Sequence, residues 1–188
     1  MGDLITMDDL SNKEIEYLLE NAERLLPVAK GDVHLPLLEG KVLANMFFEN
    51  STRTRMSFET AMKRLGGSVL NFSTSGSSVA KGETLYDTMQ MVDGYADVAV
   101  IRHPRQGAAQ YSADAIEIPV LNAGDGAGNH PTQTLLDLFT IREAHGTLKG
   151  LNVVLVGDLR YGRTVHSLSH ALVRFGATLT LVSPESLM

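Results

Sequence analysis

Val42-Leu43-Ala44-Asn45-Met46-Phe47-Phe48-Glu49-Asn50-Ser51-Thr52-Arg53-Thr54-Arg55 passes from an apolar run into a cluster of hydroxyls and guanidiniums. Val42 to Phe48 reads as a buried strand. From Met56 to Leu65, Phe58, Ala61, Met62 and Leu65 recur at helical spacing and mark one helix face. The polar run Ser51 to Arg55 therefore lies at a strand-to-helix turn. There the first backbone N–H groups of the helix have no intrahelical partners. Those donors and the helix dipole attract an anion, and arginine's planar fork suits phosphate or carboxylate. The plainer reading is a Ser or Thr N-cap beside solvated arginines. Against it, two cations in a first helical turn oppose the dipole unless an anion offsets them.

The chain has 188 residues, 44% hydrophobic and 20% charged, the composition of a globular protein with one good core or two small ones. A net charge of −6 offers no general attraction to nucleic acid or to an anionic membrane. A basic site within it is a local device. With no cysteine, disulfides and thiolate metal sites are excluded. No apolar run reaches membrane-spanning length. Met1-Gly2-Asp3-Leu4 lacks the basic and apolar regions of a signal peptide, so a cytoplasmic protein is expected.

Ser11-Asn12-Lys13-Glu14 has capping-box form. Ile15, Leu18, Leu19, Ala22, Leu25 and Leu26 then repeat at helical spacing until Pro27 ends the pattern. Gly66-Gly67 reads as a helix stop and Ser68 to Phe72 as a second strand. Ser73-Thr74-Ser75-Gly76-Ser77-Ser78 reads as a polar loop leading to Lys81, and a helix carries Leu85, Met89 and Val92. Asp97 to Ile101 is a β-branched run ending at Arg102-His103-Pro104. Polar residues at the end of a buried parallel strand are where open α/β sheets bind ligands. Ile118 to Asn122 reads as another strand, Ala123 to Asn129 as a loop, and Pro131 as the start of a largely apolar helix. After a boundary at Gly146 to Gly150, Leu151 to Val156, a helix ending at Gly176, and Thr178 to Val182 make a βαβ unit that begins a second parallel sheet. Gly157 to Thr164 has P-loop spacing, but Arg163 stands where the lysine belongs.

Five of these segments together resemble the aspartate/ornithine carbamoyltransferase family. Phe47 to Arg55, followed by Ser57-Phe58-Glu59, resembles its carbamoyl phosphate motif. Ser77 with Lys81-Gly82-Glu83-Thr84-Leu85 is similar to its loop that reaches a neighbouring subunit's site, with Ser78 as the alternative contact. Arg102-His103-Pro104 and His130-Pro131-Thr132-Gln133-Thr134-Leu135-Leu136-Asp137-Leu138 resemble two further motifs. Val156 to Leu168, with Arg163, is similar to the aspartate branch rather than the ornithine branch.

The resemblance implies an α/β fold of two domains, each a central parallel sheet flanked by helices. They are expected as a carbamoyl phosphate domain over 1–130, an interdomain helix and linker over 131–149, and an aspartate domain begun at 150–188. It implies transfer of a carbamoyl group from carbamoyl phosphate to L-aspartate, on the route to pyrimidines. In its terms Ser51, Thr52, Arg53, Thr54 and Arg102 would hold phosphate, with Ser77 and Lys81 supplied by a neighbour in a homotrimer. Thr54, Arg102 and His130 would face the carbonyl oxygen and Gln133 the carbamoyl amide. Arg163 and Lys81 would meet aspartate, and Glu49 would pair with Arg163 to link the domains. No metal and no cofactor is expected. A separate regulatory chain is a further partner it allows. The family's second domain runs longer, with aspartate-binding residues that have no counterpart here. Two strands and a helix make a poor domain, so the chain reads as a fragment holding the carbamoyl phosphate half-site. The alternatives are an ornithine or related carbamoyltransferase and an inactive carbamoyl phosphate-binding module.

Overall fold

A computed structural model describes residues 2–74 and 76–188; Met1 and Ser75, the latter within the predicted polar loop, lie outside them. The apolar run Val42 to Phe48 becomes β1 (Val42–Phe47), buried along nearly its whole length. A strand buried on both faces belongs in the middle of a parallel sheet, and that is its place. β1 lies between β2 (Ser68–Ser73) and β3 (Val98–His103), and β3 pairs with β4 (Val120–Asp125), all parallel. The order β2-β1-β3-β4 means the chain winds one way from β1 to β2 and the other way from β3 to β4. The reversal falls between β1 and β3, and open α/β sheets bind ligands at the carboxyl ends of strands flanking such a point.

The helices cover both faces. α3 (Thr52–Arg64) packs Met62 with Leu43, Phe47, Val100 and Ala123 on one side. On the other, α4 (Leu85–Asp93) and α5 (Ala108–Ala115) pack Met89, Val92 and Ala109 with Ala44, Met46, Ala99 and Ile101. A third core joins the amino-terminal segment and α1 (Asn12–Arg24) to α6 (Pro131–His145) and α7 (Arg163–Arg174), through Leu4, Ile15, Leu19, Leu138 and Leu172. β5 (Asn152–Val156) and β6 (Thr178–Val182) form the second parallel sheet. Among the described residues no helix is long and apolar enough to cross a membrane.

Ser11 and Glu14 form the expected capping box of α1, and Gly66, at φ +86, lets the chain turn after α3. Four points depart from the sequence reading. The periodic pattern that starts at Met56 understates α3, which begins at Thr52 with the arginines in its first turn, because periodicity registers packed side chains and the residues of this turn are polar. Pro27 opens a short helix, α2 (Leu26–Lys30), instead of only ending a pattern, as suits a residue lacking an N–H at a first turn. β4 continues through Asp125 where a loop was expected from Ala123, and its register with β3 shifts between Ile101 and His103. Gly124, at φ +114, permits this bulge.

The fourth is the amino-terminal segment, which carries no periodic signal. Leu4 donates to Val120 O and accepts from Asn122 N, both at 2.9 Å, and so lies against β4. Arg174, at the far end of α7, holds the residues that follow. Its Nε donates to Asn12 Oδ1 at 3.0 Å, its Nη1 to Met7 O at 2.7 Å, and its Nη2 to Leu10 O. Asn12 Nδ2 returns a bond to Arg174 O at 3.0 Å. The segment thereby straps the first sheet to α7.

Candidate active site

Three helices start at one cleft of about 610 Å³. The first turn of α3 brings Ser51, Arg53 and Thr54. That of α6 brings His130, Thr132 and Gln133, and that of α7 brings Arg163 and Thr164. Arg102, at the end of β3, completes the polar lining, and Phe58 and Leu136 contribute apolar wall. None of the three helices has a side-chain cap hydrogen bond. For Ser51 this sets aside the plain N-cap reading: its hydroxyl is not spent on α3. Three positive dipole ends and three arginines converge on one space, an arrangement suited to an anion.

Glu49, in the turn after β1, lies between two of those arginines. Its Oε1 accepts from Arg102 Nη2 at 2.5 Å and from Arg163 Nη2 at 2.7 Å, and its Oε2 from Arg163 Nη1 at 3.4 Å. Burial pushes the Glu49 carboxyl up, but donation from Arg163 and Arg102 outweighs it and holds the group below the usual range. The Glu49–Arg163 pairing expected from the sequence is thus present, and Arg102 shares it. Arg102 Nη1 also reaches Ala123 O at 3.2 Å, in the bulge of β4. Its Nε is buried with no hydrogen-bond partner among the described residues, a donor of the kind native proteins rarely leave unused.

The bulge explains how the arginines fit. A Cβ on Gly124 would stand 3.1 Å from Arg163 Cζ and Nε and 3.3 Å from Arg102 Nη1. Buried Asp125 shapes the turn beyond it: Oδ1 accepts from Asn129 N at 2.8 Å and Asn122 Nδ2 at 3.2 Å, and Oδ2 from Gly107 N at 2.8 Å. α7 docks on the same turn. Arg163 Nη1 donates to Gly126 O at 2.9 Å, His130 N donates to Ser167 Oγ at 3.3 Å, and His166 Nδ1 lies 3.2 Å from Ala127 O. Arg163 therefore points across to the first sheet. The Gly157–Thr164 loop closes on itself instead, with Asp158 Oδ1 accepting from Arg160 N and Tyr161 N at 3.1 and 2.9 Å.

His130 is 6% exposed, and its pKa falls from 6.5 to about 4, through burial first and then the charges of Arg102 and Arg163. It is neutral at pH 7. The unfolded chain takes up this proton near pH 6.5 while the folded chain refuses it until about pH 4. Below 6.5 the unfolded state binds more protons, so stability is lost as pH falls through that window. The difference amounts to about 3 kcal/mol. In urea unfolding at pH 7 and pH 4.5, H130N should lose about 2 kcal/mol less than the native chain. Equal losses would contradict the burial argument.

Ser51, Arg53, Thr54, Arg102, His130, Gln133 and Arg163 are thus brought together, with Glu49 behind the arginines. Thr52, exposed at the start of α3, does not line the cleft. Neither do Ser77 and Lys81: Ser77 Oγ donates to Thr74 O at 3.0 Å, and Lys81 is exposed at the end of a 3-10 turn, Ser78–Lys81. Gly124, Asp125 and Asn122 were missed. They sit in a stretch of small and polar residues, and only the adjacent Gly-Asp-Gly hinted at an unusual backbone.

Residues 2–143 match the family described as aspartate/ornithine carbamoyltransferase, carbamoyl-P binding domain. The whole chain is 56% identical to the aspartate carbamoyltransferase catalytic subunit of Archaeoglobus fulgidus, covering 63% of that protein. Over 98% of its length it is 60% identical to the corresponding subunit of Methanothrix thermoacetophila, covering 60% of it. Aspartate transcarbamoylase from Trypanosoma cruzi in complex with carbamoyl phosphate and aspartate matches 99% of the chain with a TM-score of 0.95 and 45% identity, over 59% of its own length. The catalytic subunit of the M. jannaschii enzyme matches the full chain with a TM-score of 0.92 and 50% identity, over 62% of its length. The chain thus spans about 60% of the length of the curated relatives it matches. Its α/β fold, its converging helix starts and a family match over 2–143 agree, and the chain belongs to the aspartate/ornithine carbamoyltransferase family.

Proposed function

We propose that the cleft binds carbamoyl phosphate and that the protein transfers its carbamoyl group to the α-amine of L-aspartate, giving N-carbamoyl-L-aspartate and phosphate. The observation that carries this is the convergence of α3, α6 and α7 on one cleft with Arg53, Arg102 and Arg163 around it. One end suits a phosphate and the other a carboxylate. The relatives named above are aspartate carbamoyltransferases, and one structure holds both substrates.

In this reading Ser51, Thr52, Arg53, Thr54 and Arg102 hold phosphate, Thr52 through its backbone N–H. Thr54, Arg102 and His130 meet the carbonyl oxygen. Thr132 Oγ1 lies 3.3 Å from His130 Nδ1; donating there, it leaves the ring proton on Nε2 as a neutral hydrogen-bond donor. The aspartate amine attacks the carbonyl carbon, and donors already in place stabilise the oxyanion. The C–O bond to phosphate then breaks, and the leaving phosphate takes the amine proton. His130 needs no proton of its own to exchange. Arg163, with Lys81, binds an aspartate carboxylate, and Glu49 holds Arg163 toward the first sheet.

Ser77 and Lys81 act on a neighbouring copy in a homotrimer, which accounts for their absence from the chain's own cleft; Ser78 is the alternative contact. The protein is cytoplasmic, and a regulatory chain is a further partner. Residues 1–130 form the carbamoyl phosphate domain, 131–149 the connecting helix and linker, and 150–188 the aspartate side. The share of the relatives covered favours a second reading, a carbamoyl phosphate half-site without turnover.

The deciding experiment supplies carbamoyl phosphate with L-aspartate or L-ornithine and measures both products, with binding by calorimetry alongside. Carbamoyl aspartate formation supports the first reading and binding without product the second. Carbamoylation of ornithine alone, or no binding, would sink both. In the turnover assay Glu49→Gln should weaken aspartate saturation and lower the rate about tenfold, since it breaks a partly buried charge pair. Unchanged kinetics would remove Glu49 from the linking role.

A further inference from the structure

Gln133 lies in the first turn of α6 and lines the cleft. Its Nε2 donates to Asp137 Oδ1 at 2.9 Å, one turn further along the helix. A glutamine amide has a donor end and an acceptor end, and half a rotation exchanges them. An ionised carboxylate only accepts, so Asp137 selects the Nε2 end, and Oε1 is the amide atom that this bond leaves for a ligand of the cleft that Gln133 lines. Among the described residues Gln133 is the hydrogen-bond partner of the Asp137 side chain. Burial pushes that carboxyl up, against the donation from Gln133. A half-buried carboxylate has reason to keep a donor.

The fixed groups of the cleft are donors, Arg53, Arg102, Arg163 and the starts of three helices, while the hydroxyls of Ser51, Thr54, Ser57, Thr132 and Thr164 can turn to donate or accept. They would accept any small phosphate. A fixed acceptor among them asks for something more, an N–H beside the phosphate.

We infer that Asp137 is a positioning residue: by locking the Gln133 amide so that its oxygen is left for the ligand, it makes the site select acyl phosphates that carry an N–H donor. This rests on the carbamoyl phosphate reading above and adds the origin of the selectivity. It concerns a residue that does not itself line the cleft.

The test measures calorimetric affinities of the chain for carbamoyl phosphate, acetyl phosphate and inorganic phosphate, in the native form and in D137N. Acetyl phosphate has a methyl where the carbamoyl group has its amide. The carboxamide introduced by D137N can donate or accept, so Gln133 would be free to turn over. The native chain should prefer carbamoyl over acetyl phosphate by about fivefold to tenfold, one hydrogen bond's worth. In D137N that ratio should fall to about twofold or less, with inorganic phosphate affinity unchanged.

A retained ratio would overturn the inference while leaving the carbamoyl phosphate reading intact. Equal weakening of all three ligands, together with a lowered Tm, would make Asp137 a structural residue of α6 and overturn it too. A native chain that binds none of the three would overturn the reading itself and the inference with it.

Discussion

Replacing Arg102 with Met is expected to lower carbamoyl phosphate affinity about 100-fold or more, the largest single loss at the site. The residue stands at the switch point, where the end of β3 faces the turn after β1. Glu49 Oε1 and Ala123 O hold its two Nη atoms, and its Nε–H is buried without a partner among the described residues. The guanidinium is thus aimed in advance, with a donor to spare. Hydrogen bonds to charged partners contribute about 1.5–3 kcal/mol each, so losing two costs at least about 3 kcal/mol, or more than about 100-fold in binding. Methionine keeps much of the apolar stem, and Glu49 keeps Arg163, so the fold should survive. Arg102→Lys should fall between the two, since it restores charge without the planar fork. Calorimetric titration with carbamoyl phosphate, beside a melting curve, checks this. An undiminished affinity in the Met variant would take Arg102 out of the site.

Gly124→Ala is expected to damage stability and binding together. At φ +114 a side chain is strained by about 1–3 kcal/mol. The new methyl would also sit 3.1 Å from the Arg163 guanidinium and 3.3 Å from Arg102 Nη1. One of them must move, and both are tied to the same carboxylate. A melting temperature lower by about 5–10 °C should follow, with carbamoyl phosphate affinity reduced about tenfold. Gly40→Ala separates the two effects. That glycine is at φ +76, but its added Cβ meets nothing within 4 Å. It should lose stability and keep affinity. If Gly124→Ala lowers Tm but binds normally, the close approach of the guanidiniums has no functional weight.

Those two positions show where legibility ended. Arg102 could be singled out as a candidate, because a β-branched run ends there in polar residues and Arg-His-Pro resembles a family motif. Gly124 could not, because its importance lies in two guanidiniums that arrive from β3 and α7. The alternation of buried strands with helical periods announced an α/β fold, and β1, β2, β5, β6 and the capped α1 follow from local patterns. The arginines in the first turn of α3 announced an anion through a local electrostatic conflict.

Three-dimensional packing settled the rest. Periodicity reports which side chains face a core, so it was blind to the polar first turn of α3 and to the bulge that carries β4 through Asp125. Strand order comes from pairings far apart in the chain, and with it the switch point. The strap from Leu4 to Asn12 has no periodic signal and exists because β4 and Arg174 receive it. The joining of Glu49 to both Arg102 and Arg163 needs three segments, 53 and 114 residues distant from the carboxylate. Residue chemistry set what each group offers. Only the fold decided that three helix starts, three arginines and one pinned glutamine would share a cleft, because convergence is a property of the packed layers and of no segment within them.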